Sequence, residues 1–598
     1  MSNFGKIQNT IYTLETLFAV NTFRVPQYQR AYSWEDDPQL EAFLEDLRQQ
    51  VSSHRKSPTK QYFLGTFLLH EEDIGGGRIV VNIVDGQQRM TTSIVFIATA
   101  LALHSKGKIF FNDEKAPLLK RHFIYDEEQE CQKFHTIQED DPFFQSEILG
   151  ISAAGCQQDS PSSRRLKSAA NYFTTQVAPE EWELLIKALK TARVMVYAVE
   201  SAEDATQIFE LQNDRGKPLT NLEALKSFLM HCIYLHSLSR ADDYLSSLQT
   251  QFSKIFRTIE ALAECTRTPD EDQLLSNHCA AFLKWTEKEY NKPKHLVKAT
   301  IKAMDGTSVI PWIQFFVNKL KESYKTIEEL FDRRDELLEF SELLILGRMG
   351  PIWPLILKTW HYDKTKEKGH FRKTCRLLEV FTFRGYAIAN LRADTNVSTF
   401  HTEARNFDGA FEGLFNRLSE MSYGHNLEER FVAGLDNATF YDEEQSDARY
   451  LLWRYENHLR EQTGKIQPLL SWKDFVEPRK YAAKFSVEHI AAQNNPMTEK
   501  VVRWSENDPQ LFKTVALNRL GNLVIDSVSP NASKGRKDFA GKLKSLSENS
   551  IYLSQGELIG FLKNPDALVW DVDAVRLRHN HLLTFAQKMW SPKTWHQF

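Results

Sequence analysis

The pair Glu488-His489 closes an apolar stretch, FSVEHI, and sets a carboxylate beside an imidazole. LGNLVI follows at 520–525, and Asn531 then precedes a run carrying Lys534, Arg536, Lys537, Lys542 and Lys544. A hairpin followed by a helix can gather a carboxylate oxygen, an imidazole and an amide oxygen round one point. Oxygen donors such as Glu488 and Asn531 suit Mg²⁺ or Mn²⁺ rather than zinc. Beside such an ion a neutral His489 takes a proton from water attacking a phosphodiester, and the cation offsets the added negative charge. A metal-dependent nuclease needs that constellation. A lone histidine is more often structural, and the basic helix also reads as a solvated face; it is the ordered set that points to phosphate chemistry.

A second group lies near the amino end. DGQQR, Asp85 to Arg89, stands between a strand pattern and a helix pattern, where unpaired backbone N–H groups and the helix dipole favour an anion. Gly86 permits close backbone approach, Gln87 and Gln88 flank it, and Arg89 has the planar fork that grips phosphate oxygens. Thr91 and Thr92 add hydroxyls on the first turn. The alternative is a turn glycine with Asp85 capping a helix. No Gly-Lys pair is followed by Ser or Thr, so a Walker-type phosphate loop is excluded. Any nucleotide must be held otherwise, and Arg30, Arg89 and Arg215, with Asn213, are the candidates. In VPQYQRAYSW, Tyr28 and Trp34 could stack on a base and Gln29 could read its edge; both rings suit a core equally well.

The elements that must position these groups follow from periodicity. Val25 to Trp34 has the flavour of a strand or ordered loop, and Asp36 and Asp37 before Pro38 predict a helix start, with Leu40, Phe43, Leu44, Leu47 and Val51 at helical spacing. Tyr62 to His70 and Arg78 to Asp85 predict a hairpin across Gly75 to Gly77, followed by a helix from about Thr91. Ala154 to Arg165 reads as a surface loop and Arg193 to Glu200 as a strand. Ser201 with Asp204, and Thr220 with Glu223, have capping-box spacing for two further helices. From about Leu235 to Phe440 the pattern is mostly helical. Beyond it, Trp453 to Glu461 and Lys534 to Leu546 predict helices, and KFSVEHI and LGNLVI predict strands.

Composition narrows the function classes. The 598 residues carry 74 basic and 79 acidic side chains, a formal net of −5, so contacts to nucleic acid must come from local basic patches. The longest clean apolar run, Ile94 to Leu103, is shorter than the roughly 18 residues a membrane span needs. The start does not read as an export signal, and a cytoplasmic location is expected. Six cysteines never form a C-x-x-C pair, which argues against both a disulfide framework and a thiolate zinc site.

Taken together, these motifs resemble the GmrSD-type modification-dependent (type IV) restriction enzymes, including single-chain forms associated with phage defence. VPQYQRAYSW, IVDGQQRMTT and FELQNDRGKPLTNLEALK resemble landmarks of that family's ParB/sulfiredoxin-like amino-terminal domain, in the family's order. FSVEHIAAQN, LNRLGNLVI and the Asn531 to Lys542 stretch resemble its HNH-type (His-Me finger) nuclease domain. Two positions depart: Ala491-Ala492 stand where the family often has a proline, and Asn518 stands where a histidine often precedes LGNL.

The resemblance implies a mostly helical α+β protein. It would have a ParB/sulfiredoxin-like α/β domain over 1–235, a helical scaffold over 236–440 and a ββα-metal nuclease domain over 441–598. It implies nucleoside triphosphate binding and hydrolysis through Asp85 to Arg89 and His489 as general base. Glu488 and Asn531 would lie near Mg²⁺ or Mn²⁺, Asn522 would support the loop and Lys542 would stand near phosphate. Tyr28, Gln29, Trp34, Lys534, Arg536 and Lys537 would face DNA. The expected activity is cleavage of phage DNA carrying hydroxymethylated or glucosylated cytosine, with a homodimer as a further expectation. Two rivals share the motifs: a nucleotide-switched DNA clamp with a noncatalytic carboxyl-terminal module, and an RNA-cleaving growth-arrest toxin.

Overall fold

The computed structural model describes residues 7–8, 10–26, 29, 31–56, 62–75, 79–110, 115–152, 160–199, 220–237, 240–263, 265, 267–285, 292–443, 445–463, 475, 485–527, 537–547 and 552–593. The chain folds as two compact units, one made of residues 1–261 with 297–322 and the other of 262–296 with 323–598.

In the first unit, strand β1 (Ile11–Thr13) leads into helix α1 (Leu14–Val20) and strand β2 (Phe23–Arg24). Helix α2 (Glu41–Lys56), the hairpin β3 (Phe63–Asp73) and β4 (Ile79–Asp85), and helix α3 (Gln87–Ser105) follow. Helix α4 (Lys115–Phe123), short strands β5 (Tyr125–Asp126), β6 (Cys131–Gln132) and β7 (Phe134–His135), and β8 (Arg193–Val199) complete the strand set. Six strands form one mixed sheet in the order β1-β8-β3-β4-β2-β7. The predicted hairpin is present, with Leu69 opposite Ile83 and His70 opposite Asn82, and β8 lies parallel to β3 on its other side.

Helix α3 is apolar on nearly every face, as TTSIVFIATA requires of a helix enclosed by its neighbours. Its hydroxyls stay satisfied inside the core. Ser93 donates to the Arg89 carbonyl at 2.8 Å, Thr99 donates to Val95 at 2.7 Å, and Thr92 shares a 2.8 Å bond with the Tyr32 hydroxyl.

Several boundaries differ from expectation for local reasons. Helix α3 begins at Gln87, not near Thr91, because left-handed Gly86 (φ 91°) turns the chain directly from β4. Asp37 is extended (φ −119°, ψ 129°), so regular helix starts at Glu41. The predicted loop at 154–165 is cut short. Ser160 caps, and Pro161 opens, a helix over Pro161–Gln176, a Ser-Pro pairing that serves a helix start as well as a turn. Thr220 and Glu223 do close a reciprocal capping box, each bond 3.2 Å, and open the helix Asn221–His236. The helix expected after Ser201 lies outside the described residues.

The second unit is mainly helical. Its helices include Glu271–Phe282, Leu338–Leu346, Trp353–Tyr362, Gly369–Thr382, Gln445–Gln462 and Val572–Met589. Two small antiparallel ladders accompany them: β9 (Phe485–His489) with β12 (Leu523–Ser527), and β10 (Val501–Arg503) with β11 (Pro509–Leu511). The buried carboxylate of Glu379 joins three segments, accepting from Arg376, from the Tyr450 hydroxyl and from the Trp590 indole, each at 2.6 Å. A buried charge with that many donors is held; one stripped of them is strongly destabilising.

Among the described residues no helix is long and apolar enough to cross a membrane. The five described cysteines, Cys131, Cys232, Cys265, Cys279 and Cys375, are all free thiols.

Candidate active site

Strand β9 ends on the two residues singled out by their chemistry, and β12 holds them in register, with Val524 opposite Glu488 and Leu523 opposite His489. The turn that leads into β12 is fixed from two sides. Asn522 is fully buried and acts as a bracket: its Oδ1 accepts from the Ala491 amide at 2.8 Å and the Trp570 indole at 3.1 Å, while its Nδ2 donates to the Leu517 carbonyl at 2.8 Å. On the other side the helix Val572–Met589 presses against Gly521, where an added Cβ would lie 2.2 Å from the Val575 carbonyl oxygen. From the same helix Arg578 donates to the carbonyls of Gly521 at 3.1 Å and Leu523 at 2.5 Å. The glycine and asparagine of LGN are therefore both required by packing.

His489 is buried at 7% exposure, and its Nε2 lies 2.9 Å from Asn518 Oδ1. Asn518 in turn donates through Nδ2 to the carboxylate of Asp442. That second bond settles the amide's orientation, since a carboxylate only accepts. With Oδ1 facing the ring, the neutral imidazole carries its proton on Nε2 and its lone pair on Nδ1. Burial pushes the His489 pKa below the ordinary histidine value; the Asn518 bond and Asp442 pull upward, and Lys542 pushes down. The Tyr441 ring meets the imidazole edge-on, 4.7 Å between centroids, and the Tyr441 amide donates to the Asn518 carbonyl at 3.1 Å. Asp442 gave no signal in the sequence. It sits on a short helix, Phe440–Glu443, outside any motif.

Glu488 points elsewhere. Its Oε1 accepts from the buried Lys542 ammonium at 2.5 Å, and the same ammonium donates to the His489 carbonyl at 2.6 Å. Lys542, expected near phosphate, thus fastens the helix Phe539–Ser547 to the end of β9. Lys537 is exposed at the approach to that helix. Asn531, Lys534 and Arg536 lie outside the described residues. Among the described residues no cluster of three or more His, Cys, Asp or Glu is placed to hold a metal.

At the DGQQR turn the side chains are engaged by the fold. Arg89 donates to the carbonyls of Leu64 at 3.1 Å and Thr66 at 2.9 Å, with its guanidinium 5.1 Å from the Phe67 ring. It occupies the space over Gly65, where a Cβ would stand 1.6 Å from its Nη1. Gln88 bridges to the Ala31 carbonyl at 3.2 Å and the Ser33 amide at 3.0 Å. Gly86 sits against Phe67, Gln87 is buried, and Thr91 and Thr92 turn into the core. Asp85 is partly exposed at the end of β4. Gln29 donates to the Val84 carbonyl at 2.6 Å, and Trp34 packs edge-on to Phe43 at 6.4 Å. Tyr28, Arg30, Asn213 and Arg215 lie outside the described residues.

Two family models match the chain. Residues 14–230 match the GmrSD restriction endonuclease N-terminal domain, and residues 427–585 match the GmrSD restriction endonucleases C-terminal domain. No curated protein matches it.

Proposed function

The chain belongs to the GmrSD family of restriction endonucleases, type IV enzymes acting on DNA, and from that premise we propose that it hydrolyses phosphodiesters of DNA bearing hydroxymethylated or glucosylated cytosine, with His489 as general base. The Asp442–Asn518–His489 relay supports this reading most. A base must be neutral and must offer its lone pair at a fixed place. Burial favours the neutral ring, and the Asn518 amide leaves Nδ1 as the nitrogen that takes the proton from attacking water.

Oxygen donors such as Glu488 and Asn531 suit a hard cation. Mg²⁺ asks for one or two carboxylates and fills its remaining positions with water and substrate phosphate oxygens. Glu488 and Asn531 would hold it, and when bound it would stabilise the charge that develops on the phosphate. Lys542 then steadies Glu488 and the strand end. Nucleoside triphosphate binding and turnover are assigned to the first unit, at Asp85, Gly86, Gln87 and the start of α3, where backbone N–H groups are the phosphate donors. Arg89 and Gln88 hold that turn in shape.

One observation favours a second reading. The carboxylate next to the base is paired with an ammonium, which is compatible with a noncatalytic DNA clamp.

Incubating the protein and its His489→Ala variant with plain, hydroxymethylated and glucosylated duplexes, with and without Mg²⁺ and nucleotides, separates the two. Metal-dependent cutting of modified DNA, lost in His489→Ala while DNA binding persists, is the expected result. Undiminished cutting by the variant overturns the mechanism, and tight binding with no cutting under any condition establishes the clamp.

A further inference from the structure

Around His489 the polar side chains are mostly committed to the fold. Asn518 is engaged by His489 and Asp442, Lys542 by Glu488 and the His489 carbonyl, and Asn522 by Ala491, Leu517 and Trp570. The hydroxyl of Tyr441 differs: it makes no hydrogen bond among the described residues, and the residue is only partly buried. A tyrosine whose ring packs on protein while its tip stays wet offers a polar handle to whatever occupies the site.

Two contacts fix where this handle stands. The Tyr441 amide donates to the Asn518 carbonyl at 3.1 Å. The ring meets the imidazole of His489 edge-on, 4.7 Å between centroids and 80° between planes. Backbone and ring are thus both seated on the relay, and neither contact uses the hydroxyl.

The surroundings also set its protonation. Burial, followed by the charges of Glu488 and Asp442, holds the Tyr441 pKa above the ordinary tyrosine value. The hydroxyl keeps its proton in neutral solution and acts as a hydrogen-bond donor rather than as an acid.

Phosphodiester hydrolysis supplies the acceptor. As water adds to phosphorus, negative charge gathers on the non-bridging oxygens, and a donor already in place beside them lowers the barrier. A phosphate attacked through His489 lies one water away from the imidazole, and the Tyr441 ring packs against that same imidazole.

We propose that Tyr441 is a catalytic residue whose hydroxyl donates a hydrogen bond to a non-bridging oxygen of the scissile phosphate and retains its proton throughout. The inference rests on the nuclease reading and adds to that site a substrate contact that lies on the short helix Phe440–Glu443, outside every sequence motif.

The test uses the full chain, its Tyr441→Phe and His489→Ala variants, and a duplex that the wild type cuts. Single-turnover cutting in Mg²⁺ is followed with the mapped cut linkage in its normal form or with sulfur at either non-bridging position. Tyr441→Phe keeps the ring contact and removes the donor. Its rate constant should fall about 100-fold, the cost of losing one such donor, with DNA affinity in chelator and melting temperature unchanged. Sulfur at one of the two positions should slow the wild type about tenfold more than it slows Tyr441→Phe, the size of one charge-assisted hydrogen bond. Should the variant also lose stability, the sulfur comparison still decides, since misfolding slows all three linkages alike.

Cutting by Tyr441→Phe at the wild-type rate, or equal sulfur effects in the two proteins at both positions, overturns the Tyr441 assignment; the nuclease reading stands if His489→Ala is inactive. A wild type that cuts nothing overturns the nuclease reading and this assignment with it.

Discussion

Asn518 joins His489 to Asp442 through one side chain, accepting from the imidazole at 2.9 Å and donating to the carboxylate with its other end. Neither end can be reversed without setting like against like. Asp442→Ala frees the amide to turn and the ring to change tautomer. Cutting should fall on the order of 10–100-fold, the usual cost of losing a group that orients a reacting residue. Single-turnover kinetics should locate the loss in the chemical step, with DNA affinity unchanged.

The pH profile carries a sign. A base works when unprotonated, and burial holds the His489 pKa below the ordinary histidine value. Cutting should therefore stay near its plateau at pH 6.5 and decline only in more acid solution. Asn518→Ala removes an influence that raises the pKa, so its slower reaction should have an acid limb at still lower pH. A limb that moves upward would contradict the assigned bond.

Lys542→Met takes the ammonium from a buried carboxylate, a change that typically costs about 3–5 kcal/mol. The melting temperature should drop accordingly. Because Glu488 is the proposed Mg²⁺ carboxylate, added Mg²⁺ should raise the variant's Tm more than the wild type's. Equal responses in scanning calorimetry would separate Glu488 from the ion.

Gly521→Ala forces a methyl against the Val575 backbone, which cannot rotate away as a side chain could. Overpacking of this kind costs about 1–3 kcal/mol. Denaturant titration should show the loss, and cutting should fall because Asn522 and the β9 end share the displaced turn.

His401 offers a test of pH-linked stability away from the site. Burial pushes its pKa down to about 4 from the ordinary 6.5. Between those values the unfolded chain binds the extra proton, so folding stability is lost as pH falls through that window. His401→Phe should lose less stability than wild type from pH 6.5 to 4, measured by urea midpoints.

Much of this arrangement was legible in the sequence. The β3 and β4 hairpin showed in two strand-like runs with glycines between them, and EHI and LGNLVI each read as short strands whose pairing brings Glu488 and His489 to a strand end. Side-chain destinations were not legible. Arg89 reads as a phosphate grip until the carbonyls of Leu64 and Thr66 take its donors and Gly65 leaves space for it. Lys542 belongs to a basic run, and only tertiary packing reveals that it faces inward to Glu488. Asp442 has no motif at all, since its role is set by where a helix far along the chain comes to rest.

The clamp formed by Gly521, Arg578 and the helix Val572–Met589 bears on biosynthesis. That helix leaves the ribosome after every other component of the cutting centre, so a growing polypeptide cannot close the turn that seats Asn522. The turn around Asn522 therefore gains its packing only after residues 572–589 have been synthesised.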